Sequence, residues 1–155
     1  MKKIIRAMQM CIAMLLNPCI SIKRGTRIIG KILIRDNPKI NIGSNSMIDG
    51  LEVLGSGTLE IGDNVHIKNM FIDFALSDGK IVIENEVYLA NGAKLIIFGE
   101  LRIGKGTISG PDLMVVDTKH RYDSSSLIKH SGVEIDNIEI GENCWLGGRV
   151  NIMPV

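Results

Sequence analysis

Large aliphatic residues recur along the chain at the head of six-residue units. Each is followed by a corner of small, acidic or amide residues and then by a small residue at the fifth place. Seven such units begin at Ile42, Ile61, Ile83, Leu89, Ile103, Ile140 and Leu146. The pattern predicts that the aliphatic and the small residue share one narrow interior. The Gly and Asn between them tolerate the positive φ that a sharp corner requires.

The spacing between units indicates a coil of three units, about 18 residues long. Ile42 to Ile61 is 19 residues, Ile61 to Ile83 is 22 and Ile83 to Ile103 is 20, which is one coil plus small corner insertions. Strands of an ordinary sandwich would alternate strictly and lack Gly and Asn at fixed offsets. The sequence therefore predicts an all-β chain whose residues 21–155 form a parallel β-helix.

One segment interrupts the coils. Ile103 to Ile140 is 37 residues, and the regular pattern stops near Gly110 and resumes at Ile138. This predicts a loop ejected from the β-helix over about 111–137. Loops fixed at both ends by a rigid scaffold often carry function.

The predicted loop contains His120, with Asp117, Arg121 and Asp123 nearby. A neutral imidazole can remove a proton from a hydroxyl as it attacks a thioester. Asp117 or Asp123 would then hold the other ring nitrogen, and we favour Asp117. The alternative is a solvated surface loop whose histidine has no role.

The first twenty residues are predicted to form a helix over 1–20 that caps the β-helix or lies at an interface. Apolar residues recur there near helical spacing, at Ile4, Ile5, Met8, Cys11, Ile12 and Leu15. A secretory signal is the less favoured interpretation because no small-x-small cleavage site follows. Peripheral contact with a membrane through this helix stays open.

Composition narrows the function classes. The 18 Lys+Arg against 17 Asp+Glu give a net charge of +1, which offers no basic excess for nucleic acid binding. Aromatic residues are only 4% against 45% hydrophobic, and the 17 glycines suit thin stacked strands. The three cysteines are far apart and have no metal-binding spacing, which favours a reducing, cytoplasmic compartment.

Over roughly residues 20–155 the chain resembles the bacterial hexapeptide-repeat acyltransferases. Residues 117–123, 140–147 and 151–154 are similar to those of sugar and polysaccharide O-acetyltransferases. The resemblance implies a left-handed β-helix and a homotrimer that binds acetyl-CoA in a groove between subunits. It also implies that His120 is the catalytic base and that the acceptor is a hydroxyl of a sugar or surface-glycan intermediate.

Two further residues are candidates for the acceptor site. Leu89-Ala90-Asn91 resembles the segment that helps hold the acceptor in galactoside and maltose acetyltransferases, although Asn91 also fits an ordinary corner. Trp145 occupies the sixth place of its unit, next to the inward Cys144, so we expect it to point outward. An exposed indole usually has a partner, here a neighbouring subunit or a ligand.

Departures from the family pattern leave a second function open. Thr118 stands where many relatives have another histidine, and the chain stops at Val155, where relatives usually continue with further coils. The alternative is therefore a non-catalytic trimeric β-helix scaffold, or a truncated and inactive transferase remnant. No metal is expected, because His130 lies ten residues after His120 and His66 occupies an ordinary outward position.

Overall fold

Short strands separated by tight corners make up almost all of the described chain. The computed structural model describes residues 19–75, 77–122 and 126–154. In these ranges the strands are β1 (Ile20–Ile22), β2 (Arg27–Ile28), β3 (Ile32–Ile34), β4 (Lys39–Ile42), β5 (Met47–Ile48), β6 (Leu51–Leu54), β7 (Thr58–Ile61), β8 (His66–Asp73), β9 (Lys80–Ile83), β10 (Tyr88–Ile96), β11 (Glu100–Ile103), β12 (Ile108–Ser109), β13 (Met114–Val116), β14 (Thr118–His120), β15 (Val133–Ile135), β16 (Ile138–Ile140), β17 (Trp145–Leu146) and β18 (Asn151–Ile152). One 3-10 helix, Ile128–His130, lies between β14 and β15.

The strands pair in parallel, coil upon coil, so the predicted all-β parallel solenoid is confirmed, with about five turns. One sheet has the order β1-β4-β7-β9-β11-β16, and the remaining coil strands form a ten-stranded sheet that turns around the corners. The helix predicted over 1–20 lies outside the described residues except for Cys19 and Ile20, and Ile20 already belongs to β1. The hand of the coil stays a prediction.

The hexad register predicted from the sequence is the register of the sheet. The aliphatic residues that open successive units pair directly, in the order Ile42, Ile61, Ile83, Ile103 and Ile140. None of the five is more than 7% exposed. The small residues at the fifth place are buried as well in the central coils, where Ser46, Val65, Val87, Ala93 and Thr107 are 0–1% exposed. The core is therefore a continuous apolar column along the solenoid axis.

The corner after the six-stranded sheet has the positive φ that the Gly and Asn residues predicted. Asn45, Asn64, Glu86, Gly106 and Asn143 occupy the same place in five successive coils, with φ between 53° and 70°. This left-handed backbone is open to Gly and tolerable for Asn, but it costs other L-residues about 1–2 kcal/mol. Glu86 is the residue of these five that is least suited to the left-handed backbone.

Two buried hydroxyls join neighbouring coils at this corner. Ser46 Oγ donates to the carbonyl of Gly62 (2.9 Å) and accepts from the amide of Val65 (3.0 Å). Thr107 Oγ1 does the same with the carbonyl of Gly141 (2.8 Å) and the amide of Cys144 (3.1 Å). A hydroxyl is tolerated in the apolar column because both of its hydrogen-bonding capacities are used.

The interruption of the coils is an excursion from a single corner. β13 pairs with β10 below it and with β18 above it, so residues 114–116 belong to the coil. The chain then leaves to form the antiparallel hairpin β14–β15 and returns at β16, where Ile138 pairs with Leu101. The ejected segment is thus 117–137, shorter than the predicted 111–137.

We predict that Glu86→Asn stabilises the protein by about 0.5–1 kcal/mol, because Asn adopts the left-handed backbone more readily than Glu. Urea denaturation followed by circular dichroism measures the change in the free energy of unfolding. Glu86→Ala is the control, since it also removes the exposed pair with Lys105 (3.4 Å) but does not relieve the backbone. Equal stabilisation by both variants would assign the effect to charge.

Candidate functional site

The hairpin β14–β15 presents His120 to solvent beside a cavity. His120 is exposed and pairs with Val133 across the hairpin. The cavity has a volume of about 490 Å³ and is lined by Lys119, His120, Arg121, Tyr122, Ser131 and Glu134. The predicted base therefore lies in an accessible recess of the ejected segment.

Charged residues flank His120 on both sides. Lys119 Nζ lies 3.4 Å from Glu134 Oε2 and 3.7 Å from Asp136 Oδ2, and Arg121 Nε lies 3.6 Å from Glu134 Oε1. Exposed ion pairs of this kind contribute about 0–1 kcal/mol each. They therefore stabilise the hairpin only weakly.

Asp117 connects the start of the hairpin segment to the coil below and to the point where the chain returns. Its side chain is fully buried, and its carboxylate accepts hydrogen bonds from the amides of Phe98 (2.9 and 3.0 Å) and Gly99 (2.6 Å) in the coil below. Its carbonyl accepts from the amide of Asp136 where the chain returns (3.0 Å). The predicted role of Asp117 in orienting His120 stays a prediction, and the structure adds this anchoring role. Asp123, the other candidate, lies outside the described residues.

Asn91 lies on the corner that follows the second side of the coil. It is exposed and pairs in register with Asn69 of the preceding coil. Both residues line a cavity of about 400 Å³. The extra residue Gly92, with φ of 85°, bulges the corner here and shifts the register between Asn91 and Ala93. Asn91 is therefore a corner asparagine that also faces a cavity.

Trp145 points outward, as its place in the unit predicts, and is 79% exposed. It pairs in register with Ile108, which is 44% exposed and pairs with Tyr88. The three side chains form an outward apolar column across three coils. Large exposed apolar side chains in a row are typical of surfaces that contact another molecule.

Within one chain, the four predicted site residues form two groups. His120 and Asp117 belong to the excursion after β13, whereas Asn91 and Trp145 lie on and beside the corner before β13. The cavity beside His120 and the cavity beside Asn91 have no lining residue in common. Neither cavity contains residues of both groups, and Trp145 lines neither of them.

A charged cluster escaped the sequence reasoning. Asp49 Oδ2 lies 3.1 Å from Lys68 Nζ and 3.6 Å from His66 Nε2, and the His66 ring meets Tyr88 edge to face at 5.3 Å. The bond from Lys68 holds the pKa of Asp49 below its usual value, against an opposing effect of partial burial, and His66 adds to the lowering. Asp49 and Lys68 are 19 residues apart, about one coil, and this spacing is the sequence feature that places them on neighbouring coils.

In residues 19–75, 77–122 and 126–154, no group of three or more His, Cys, Asp or Glu side chains is placed to hold a metal ion. The same part of the chain contains no helix with the length and apolarity needed to cross a membrane.

Comparison of the chain with protein-family models, with curated proteins and with solved structures gives no match.

We predict that Asp117→Ala lowers the free energy of unfolding by about 2–3 kcal/mol, since it leaves the amides of Phe98 and Gly99 without their buried acceptor. Urea denaturation measures the loss, and Asp117→Asn, which keeps one acceptor oxygen, should lose less. Asp136→Ala is the control at the exposed rim, with an expected change within about 0.5 kcal/mol. A loss in Asp117→Ala no larger than in the control would contradict the anchoring role.

Proposed function

We propose that the protein is an acyl-CoA-dependent O-acyltransferase that moves an acetyl group from acetyl-CoA to a hydroxyl of a sugar or surface-glycan intermediate. The observation that carries the proposal is the exposed His120, presented with its own cavity on a hairpin ejected from a rigid solenoid. The resemblance of residues 117–123 to sugar O-acetyltransferases gives this histidine its role. The coil is proposed to be left-handed, as in that family.

The proposed chemistry is general base catalysis by His120. The neutral imidazole takes the proton of the acceptor hydroxyl while the hydroxyl oxygen attacks the thioester carbonyl. The tetrahedral oxyanion then collapses, the carbon–sulfur bond breaks, and the departing thiolate of CoA takes the proton from the imidazolium. Backbone amides at the coil corners are available to stabilise the oxyanion. Acetyl-CoA acts as a co-substrate, and the mechanism uses no metal.

A homotrimer accounts for the division of the site residues into two groups. In the proposed assembly, His120 of one copy meets Asn91 and Trp145 of its neighbour, and acetyl-CoA occupies the groove between them. The outward column of Tyr88, Ile108 and Trp145 supports an intersubunit surface, because burying it removes apolar area from water. Lys119 and Arg121 at the rim suit the anionic groups of CoA.

The proposed compartment is the cytoplasm, where acetyl-CoA is supplied and thiols stay reduced. Contact of the N-terminal helix, residues 1–20, with a membrane stays an expectation. A non-catalytic trimeric scaffold or an inactive remnant is the alternative function, and the separation of the four site residues within one chain is the observation that favours it.

We predict that His120→Ala lowers kcat by about 10² to 10⁴, the usual contribution of a positioned base. Release of CoA thiol in the presence of sugar acceptors measures turnover, and calorimetry measures binding of acetyl-CoA to both forms. His130→Ala is the matched control, because His130 is also exposed on the excursion but does not line the cavity beside His120. Full activity in His120→Ala would exclude the mechanism, and trimers without affinity for CoA would favour the scaffold.

The shared site predicts complementation between two inactive variants. His120→Ala and Asn91→Ala subunits are dissociated, mixed in equal amounts and reassembled. If each site takes one residue from each of two copies, random assortment restores about a quarter of wild-type activity. If both residues act within one chain, activity stays at the level of the separate variants, and the intersubunit site is wrong.

A further inference from the structure

The cavity beside Asn91 is a groove that runs along the solenoid axis. Its polar lining comes from four successive coils, in the order Lys31, Asp49 with Glu52, Lys68 with Asn69, and Asn91. Neighbouring coils are separated by about 4.7–4.9 Å, the spacing of paired strands. Three such steps give the groove a length of roughly 14 Å. A pyranose ring is about as wide as one step, so the groove has room for a short chain of sugars.

The lining residues suit hydroxyl groups. Amides, carboxylates and ammonium groups bond to sugar hydroxyls, which donate and accept. The two ammonium groups, of Lys31 and Lys68, balance the two carboxylates, of Asp49 and Glu52, so the groove carries no net charge. Leu33 adds an apolar contact at the first coil. This combination favours an uncharged glycan over a polyanion.

The charged cluster beside the groove has unused hydrogen-bonding capacity. Asp49 Oδ1 is buried and has no hydrogen-bond partner among the described residues, and His66 Nε2, also buried, lies 3.6 Å from Asp49 Oδ2, beyond hydrogen-bonding distance. Asp49 Oδ2, in contrast, is held by Lys68 Nζ at 3.1 Å. A buried carboxylate oxygen without a donor costs free energy. A hydroxyl from a bound sugar would supply the donor after a rotation of the Asp49 side chain.

We propose that this groove binds the acceptor as an extended, uncharged oligosaccharide, with the reacting unit at Asn91 and the following units along Asn69, Lys68 and Asp49 toward Lys31. The inference rests on the proposed acyltransferase function and narrows its acceptor from a sugar to a chain of about three units. Lys68 and Asp49 then determine chain-length preference and take no part in the proton transfer.

The test compares kcat/KM for p-nitrophenyl monosaccharides and trisaccharides of three series: β-1,4-linked glucose, β-1,4-linked N-acetylglucosamine and α-1,4-linked glucose. In the preferred series the trisaccharide should be used about tenfold or more better than the monosaccharide, since each retained hydrogen bond to the groove adds transition-state binding. Lys68→Met should lower this ratio, and Glu52→Gln provides a second variant that keeps side-chain size.

Lys80→Met is the matched control. Lys80 is 45% exposed against 42% for Lys68, and it also pairs with a carboxylate, Glu60, but on another side of the coil. This variant should keep the wild-type ratio. Equal use of monosaccharide and trisaccharide in every series, or an unchanged ratio in both groove variants, would overturn the inference and leave acetyl transfer intact.

Failure of the acyltransferase proposal is distinguishable from failure of the groove. If no acceptor releases CoA, the same trisaccharides are titrated into the full chain by calorimetry. Saturable binding that weakens in Lys68→Met but not in Lys80→Met supports the groove without the enzyme. The absence of binding by all three trisaccharides overturns it.

Discussion

The in-register parallel pairing of one coil with the next is the constraint on which the rest of the structure depends. Ile42, Ile61, Ile83, Ile103 and Ile140 form one column because each coil places the same residue over its predecessor. A slip of one residue would turn every inward side chain outward. Extra residues are therefore accommodated only at corners, which is where Gly92 and the segment 117–137 are found.

The same register sorts the outward side chains into surfaces of different chemistry. On the six-stranded sheet, charges of opposite sign stack, as in Glu60 with Lys80 (3.8 Å) and Glu84 with Arg102. On the second side, the exposed side chains of Ile108 and Trp145 stack on the half-buried Tyr88. Paired charges suit a surface in water, whereas the apolar column suits a contact. The hairpin leaves the coil at a corner, so it interrupts neither the six-stranded sheet nor the stack on the second side.

The sequence predicted the elements that repeat and missed those that depend on a single contact. The unit openers, the buried small residues and the positive φ of Asn45, Asn64 and Asn143 all follow from a pattern that recurs. The anchoring role of Asp117 required knowing that the amides of Phe98 and Gly99 lie beneath it, and no repeat encodes that. The early start assigned to the excursion came from Gly110-Pro111, which breaks the pattern although β13 continues the coil. Asp49, at a corner, and Lys68, within β8, were missed because outward charged residues are usually solvated.

The hairpin is attached to the solenoid through hydrogen bonds at the two points where the chain leaves and returns. Asp117 accepts hydrogen bonds from Phe98 and Gly99, Asn137 Oδ1 accepts from the amide of Glu100 (2.9 Å), and between these anchors β14 pairs with β15. The stacked core is complete without these residues. Substitutions in β14 and β15 therefore leave the register of the stacked coils unchanged, so the hairpin can vary in sequence on a constant scaffold.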